Sequence, residues 1–554
     1  MTIGVPVGPA RRLGAPRFAA WRVASRRRRT AAGSRPPPFP LLAAAAIVAL
    51  LGLLPIGVTL SRAMQVDVAA AGALLFRPLV GRLLFNTLAL VAAGTLTAAV
   101  VGTAAAWFVE RTRLPGRRIW ASLAAVPLAI PSFVTSFAWV SLSPAFQGFP
   151  GALLVVTCAY YPLLYLPVAA ALRGLDPALE ETARSLGCGP WQRFTRVVLP
   201  HLRPALFGGM VLVALNVLVE FGAFALLRYR TFTTEIYAEY RTGFAGPQAA
   251  LLAVVLMMLC VAFLAIESVA RGHVRYARVA RGTGRVATRY PLGRARLPVL
   301  LGFVVLVVVT LGVPLGMILF WLTQPGAAAI TPAEVSAGIL ISSTLSSLEY
   351  GAAGASLTMI LAFPIAFLAV RYDGPVVAAI ERAAWLVQGV PGIVVALALV
   401  ALTVHTLHPL YQSSLLLVIA YAILFLPLAL VSIKASLQQA ERRLEDVGRS
   451  LGLGWAAVTR RIVLPVAGPG LAAAAAMVFV AVVTDLTTTL LLAPIGTHTL
   501  ATRVWVDTST LAFAAAAPFA ALMATISLLS TGLLAHRFGG TNRLRNDLTP
   551  GARR

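Results

Sequence analysis

The chain has 554 residues, 59% of them hydrophobic and only 12% charged, with a mean hydropathy of +0.85. Soluble domains carry about a quarter charged residues, so this chain cannot cover a water-facing surface and a soluble globular class is excluded. The net charge of +27 does not point to nucleic acid, because the arginines fall between apolar runs rather than along one face; Lys434 is the single lysine, a bias of base composition rather than of chemistry.

The first 39 residues are rich in Arg and Pro, with nine arginines and no acid. An apolar run of about 20 residues follows, the length of a spanning helix rather than of a cleaved signal core. Similar runs continue along the chain and predict about twelve spans. In the first half they fall at 40–61, 84–109, 119–141, 151–172, 205–227 and 247–269. In the second half they fall at 298–322, 342–370, 376–403, 412–433, 471–493 and 511–535. The runs are long and lack the alternation of a barrel strand, so an all-α membrane protein is expected.

Arginine placement predicts orientation. Arg111, Arg113, Arg117 and Arg118 follow the second span, the linker at 270–297 holds eight arginines and no acid, and the C-terminal tail at 537–554 holds five. The loops at 142–150, 323–340 and 404–411 have neither Arg nor Lys. Both termini and the linker are therefore expected in the cytoplasm, in a multi-pass protein of the cytoplasmic membrane. The expected division is a tail at 1–39, a first half at 40–269, the linker, a second half at 298–536 and a tail at 537–554. The linker is too short and too Arg-rich for a core and reads as a tether.

The halves repeat one another. "ETARSLGCGPWQRFTRVVLP" at 181–200 aligns without a gap with "DVGRSLGLGWAAVTRRIVLP" at 446–465, an offset of 265 (446 − 181), with nine of twenty positions identical. "IPSFVTSFAWV" at 130–140 echoes "VPGIVVALALV" at 390–400, and "TFTTEIY" at 231–237 echoes "TLATRVW" at 499–505. Six spans separate the long copies, which places them on one side of the membrane and makes the halves parallel repeats.

Each copy reads as a helix–turn–helix element, at 175–204 and 437–469. Asp176 and Pro177 suit an N-cap and first turn, and Gly187 suits the left-handed residue that ends the first short helix, as does Gly452 in the second copy. Glu181–Arg184 and Asp446–Arg449 are opposite-charge pairs three apart, worth about 0.2–0.5 kcal/mol each. A second short helix from about Pro190 is expected to stop at Pro200 and Pro204, and its counterpart at Pro465 and Pro469.

The segment resembles the E-A-A loop of binding-protein-dependent ABC transporter permeases: E-A-A, three residues, G, nine residues, I, one residue, L-P. Here the positions are Glu181-Thr182-Ala183, Gly187, Val197 and Leu199-Pro200, then Asp446-Val447-Gly448, Gly452, Ile462 and Leu464-Pro465. Thr182, Val197 and the triplet Asp446-Val447-Gly448 depart from the pattern, whose spacing is kept. The resemblance implies two six-helix halves, with Glu181, Ala183, Arg184, Gly187, Leu199, Pro200, Asp446, Gly448, Arg449, Gly452, Leu464 and Pro465 on loops that couple to a pair of cytoplasmic ATPase subunits. It also implies an extracytoplasmic substrate-binding protein. "EFGAFALLRYRTFTTEIY" at 220–237 and "TDLTTTLLLAPIGTHTLATRVW" at 484–505 are most similar to iron(III) import permeases; thiamine, polyamine and phosphonate permeases are relatives.

No G-x-x-x-x-G-K-[ST] phosphate loop occurs, so ATP hydrolysis is expected in another subunit, and no cofactor or catalytic constellation is read here. A carrier driven by ion gradients is the competing class, but it needs no docking loops. Glu220 and Asp485 lie late in the fifth and eleventh spans at the same offset of 265 (485 − 220) and are expected to line a translocation path for a cation. Glu349 also falls in a span but has no first-half counterpart. His405 and His408 are read as an incidental loop pair, and Cys158, Cys188 and Cys260 follow no disulfide or zinc spacing.

Overall fold

A computed structural model describes residues 37–241, 243, 246–271, 289–324 and 336–547. The expected N-terminal tail, most of the linker and the end of the C-terminal tail lie outside the described residues. Among those described, structure is helical apart from one isolated bridge between Thr112 and Tyr290. Nine helices are long and apolar enough to cross a membrane, or up to twelve when three bent pairs are each taken as one span.

The bent pairs fall at the expected spans 119–141, 376–403 and 412–433, each built from two helical arms. Arg117–Ala129 meets Ser132–Leu142 at 93°, Pro375–Gly389 meets Gly392–His405 at 104°, and Ser414–Leu424 meets Leu426–Gln439 at 56°. Pro131 and Pro391, the shared prolines of the repeated "IPS" and "VPG", cause the first two breaks. A residue before proline is driven out of the helical region, and Ile130 (φ −93°, ψ 121°) and Val390 (φ −103°, ψ 113°) are extended accordingly. At the third break Pro427 opens the second arm. Its counterpart Pro162 stays inside the unbroken helix Phe149–Gly174, so the halves differ here.

The second span of each half is long, Pro78–Arg111 at 34 residues and Ala337–Arg371 at 35. Each exceeds the roughly 20 residues a bilayer requires and ends on a buried or nearly buried arginine. Helices approach closely where side chains are small: a Cβ on Gly102 would lie 2.9 Å from the Tyr161 carbonyl oxygen, so the Pro78–Arg111 and Phe149–Gly174 helices pack backbone to backbone there.

The first spans are exchanged. Phe39–Ala63 packs on Pro375–Leu386, Gly392–His405 and Ala337–Arg371 of the other half, as well as on Gly246–Arg271 of its own. Reciprocally, Val313–Leu322 packs on Ser132–Leu142, and Phe303 meets Trp120 at 5.6 Å between ring centroids. The halves thus embrace, and the largest core cluster draws residues from both.

Candidate coupling loops and membrane acids

In the first loop the helix Pro177–Ser185 begins where the Asp176 carboxylate accepts a hydrogen bond from the Ala178 N–H at 3.0 Å. It ends in a Schellman turn: the Gly187 N–H donates to the Arg184 carbonyl at 3.0 Å and the Cys188 N–H to the Ala183 carbonyl at 3.0 Å. The second loop repeats the turn after Arg442–Ser450, with Gly452 N–H to Arg449 and Leu453 N–H to Gly448 at 3.0 and 3.1 Å. Gly187 and Gly452 take φ of +81° and +83°, a region that a side chain makes costly.

Beyond the turns the expected stop at Pro200 and Pro204 is corrected. The chain runs helical from Trp191 to Val219, and in the second half from Ala456 to Val483. A π-helical turn at Phe194–Val198, and again at Thr459–Val463, precedes Pro200 and Pro465. Such a wide turn shifts the hydrogen-bond register by one residue, which lets a proline without N–H sit in the next turn without ending the helix. Both π turns fall at the offset of 265 (459 − 194).

The motif residues divide by exposure. Ala183 and Gly448 are buried, Glu181, Arg184 and Asp446 are exposed, and Arg449 is half-buried at 3.6 Å from Asp446. Leu199 and Pro200 are half-buried, whereas Leu464 and Pro465 are exposed. The departures at 183/448 and 197/462 compensate one another. A Cβ on Gly448 would lie 2.4 Å from the Ile462 Cδ1, so the smaller residue stands where the larger partner reaches. The first copy has Ala183 and Val197 at those positions.

Sequence reasoning passed over the acids that the structure uses most. Glu180 and Glu445, one position before each motif, are 7% and 3% exposed. Glu180 meets Arg111 at 3.0 Å, and Glu445 meets Arg371 at 2.7 Å. Each pair ties a short loop helix to the end of the long second span of its own half. The signal was available: both acids repeat at the common offset, three residues before the buried Ala183 and Gly448.

The loops also present apolar side chains to the outside. Leu186 is 78% exposed, Trp191 73%, Leu451 76% and Val447 57%. These side chains stand beside the polar helices Pro177–Ser185 and Arg442–Ser450, on the outside of the loops.

Glu220 and Asp485 sit at breaks, not within continuous helix. The expected span 205–227 stops at Val219 and resumes as Gly222–Leu226; 471–493 stops at Val483 and resumes as Thr487–Leu492. Each acid caps the short helix that follows it. Glu220 Oε1 accepts from the Ala223 N–H at 2.9 Å, and Asp485 Oδ2 from the Thr488 and Thr489 N–H groups at 3.0 and 3.3 Å. Glu220 Oε2 also accepts from the Ser132 hydroxyl at 2.6 Å and from the Tyr160 hydroxyl. Asp485 packs among Ser347, Tyr350, Tyr421 and Thr499. The two breaks meet across the halves: a Cβ on Gly222 would lie 2.7 Å from the Leu486 Cδ2, and Phe221 and Trp505 are 5.4 Å apart. A cavity of about 260 Å³ lies between Phe221 and Arg228 on one side and Trp505 and Ser509 on the other.

His405 bonds only locally, its Nδ1 2.9 Å from the Ala401 carbonyl oxygen, and Glu349 is exposed. No group of three or more His, Cys, Asp or Glu side chains that could hold a metal ion occurs among the described residues.

An all-helical membrane body of two embracing halves, each with the same loop at one end, defines a transport permease. The chain belongs to the family described as binding-protein-dependent transport system inner membrane component, which it matches at residues 98–266 and again at 359–539. Members serve importers whose ATPase is a separate subunit and whose cargo arrives on a binding protein, which removes the ion-coupled carrier from the readings. The chain is 37% identical over 492 residues to the Fe(3+)-transport system permease protein FbpB 2 of Haemophilus influenzae, covering 88% of this chain and 97% of that one. It is 31% identical over 154 residues to the molybdenum transport system permease protein ModB of Escherichia coli, covering 25% and 65%. It is 32% identical over 192 residues to the sulfate transport system permease protein CysT of the same species, covering 32% and 69%.

Proposed function

We propose that this permease imports iron(III), which it receives from an extracytoplasmic binding protein and passes inward as two ATPase subunits act on its two loops. The observation that carries the coupling role is the duplicated loop: one backbone at one offset, Gly187 and Gly452 at its turns, and exposed Leu186, Trp191, Val447 and Leu451 at its tips. Two like loops call for two like partners. The arginine pattern supports a cytoplasmic side for the loops, both termini and the linker.

Iron(III) as cargo is supported by the Haemophilus relative, which matches along both halves, whereas the molybdenum and sulfate permeases match a third of the chain or less. The acids at Glu220 and Asp485 agree with a cation. The reading gives them a place on the route, at the two breaks where the halves meet beside Gly222 and Leu486.

The test is uptake of radioactive iron(III) into proteoliposomes holding the permease, the ATPase and the loaded binding protein. Uptake is expected only with ATP and all three components. Uptake driven by an ion gradient with the ATPase left out overturns the coupling role, and ATP-driven uptake of molybdate or thiamine but not iron overturns the cargo.

A further inference from the structure

The two loops are alike in backbone but are not held alike. In the second, the Glu445 carboxylate is held by Arg371 at 2.7 Å and, on its other oxygen, by Arg449 of its own helix at 3.6 Å. Arg371 in turn donates to the carbonyls of Leu437 and Ala440 at 3.2 and 3.0 Å. In the first loop Arg184, the counterpart of Arg449, is exposed. There the second carboxylate oxygen of Glu180 accepts instead from the Tyr290 hydroxyl at 2.6 Å.

Tyr290 comes from the last residues of the Arg-rich linker, just before the helical run Gly293–Leu322 that opens the second half. Four further contacts seat it. Its N–H donates to the Arg111 carbonyl at 2.8 Å, and its own carbonyl accepts from the Arg113 N–H at 3.0 Å, forming the isolated bridge at Thr112. Its ring stacks on Trp107 at 6.4 Å, and the Arg193 guanidinium lies over the ring at 5.6 Å. Trp107 also meets Phe194 edge-on at 5.0 Å, at the start of the π turn. One side chain thus touches the long second span, the short loop helix and the arm that returns to the membrane. Burial, and next the bond to Glu180, raise the Tyr290 phenol above its ordinary range, so the hydroxyl remains a donor at physiological pH.

We propose that Tyr290 is a positioning residue for the first coupling loop: through it the linker and the second half set the seat of the helix Pro177–Ser185, so that the two loops transmit ATPase movement unequally. This rests on the reading of the loops as coupling elements. The linker is then more than a tether, since its final residues complete the first loop, whereas among the described residues the second loop is completed by its own helix.

A hydrogen bond from a neutral donor to a carboxylate biases a seated-against-unseated equilibrium by about tenfold. The test uses the full chain in the complete transporter, measuring ATP hydrolysed per cargo ion imported and the amount of ATPase bound per permease. Tyr290→Phe keeps the ring and the backbone bridge and removes only the hydroxyl. The expected result is a severalfold rise in ATP used per ion with ATPase binding unchanged, and a larger rise for Tyr290→Ala. Arg449→Ala, which strips the equivalent oxygen of Glu445, gives the size of the same loss in the second loop. If both Tyr290 variants keep the unmodified ratio, or lose transport only in proportion to lost complex, the proposal is overturned. If the unmodified transporter shows no ATP-dependent uptake, it is the coupling reading that fails instead.

Discussion

Arg371 and Glu445 meet at 2.7 Å although 74 positions (445 − 371) separate them, and their side chains are 8% and 5% exposed. Arg111 and Glu180 make the same tie in the first half at 3.0 Å. Each joins the last turn of a 34- or 35-residue helix to the base of a loop helix, so under the proposed coupling a push on the loop would reach that helix. Removing an arginine leaves a buried carboxylate without its nearest cation, which costs up to about 3–5 kcal/mol, less at Glu445, where Arg449 remains 3.6 Å away. Arg371→Ala is therefore expected to loosen the helix Arg442–Ser450, read as faster amide exchange there, with uptake lost while the spans stay protected. Unchanged exchange in that helix would show that the pair holds nothing.

The turn glycines give a second prediction. At both Gly187 and Gly452 a built Cβ finds open space, so substitution meets no clash and the whole effect is backbone strain. That strain is roughly 1–2 kcal/mol for alanine and less for asparagine, which tolerates the left-handed region. Asn variants are expected to transport better than Ala variants at both sites. Gly187→Asp with Gly452→Asp adds charge to the docking tips and is expected to abolish uptake in protein that still inserts. Intact uptake in that double variant would mean that the loops do not couple.

Gly448 and Ile462 give a third. Gly448→Ala drives a methyl onto the Ile462 Cδ1, 2.4 Å away, and overpacking of this kind costs about 1–3 kcal/mol. Ile462 can turn aside in part because the atom met is the far end of a flexible chain. Gly448→Ala with Ile462→Val, which rebuilds the first copy's pair, is expected to recover the lost melting temperature. A double variant no more stable than Gly448→Ala alone would refute the complementarity.

Features that depend on neighbours in sequence were legible. The Asp176 cap and the left-handed Gly187 and Gly452 follow from residues within one or two turns, and the long apolar runs and the two-half repeat can be read directly along the chain. The bends at Pro131 and Pro391 were harder, because an apolar run shows that a segment avoids water but not which way it heads. The repeat of Glu180 and Glu445 was visible in the sequence, but their ties to Arg111 and Arg371 were not, since each partner lies some 70 positions away. The prolines at 200 and 465 misled because a π turn absorbs their missing N–H, and a widened turn has no composition of its own.

Splitting the chain near Gly282 gives a fourth prediction. The exchanged first spans, Phe39–Ala63 on the second half and Gly293–Leu322 on the first, hold the halves together without the linker. Tyr290 stays with the second fragment and can still reach Glu180. Co-expressed fragments are therefore expected to copurify and to transport. Fragments that insert stably but fail to associate would show that the covalent link is needed.

The membrane acids give the last. Glu220→Gln and Asp485→Asn each keep an oxygen that can accept the capping N–H groups of Ala223 or of Thr488 and Thr489, so the breaks are expected to survive and the protein to fold. What is lost is charge at the point where the halves meet. An acid at membrane depth costs about 2.5–3.5 kcal/mol on the insertion scale, more than a cap alone returns, since Ser, Thr or Asn would cap as well. The proposed function gives the charge a further partner, a cation on its way through, beyond the caps and the Ser132 and Tyr160 hydroxyls that already meet Glu220. Each single variant is expected to slow iron(III) uptake at matched expression, and the double variant to slow it further. If the double variant takes up iron at the unmodified rate, the two carboxylates serve as helix caps and the route lies elsewhere.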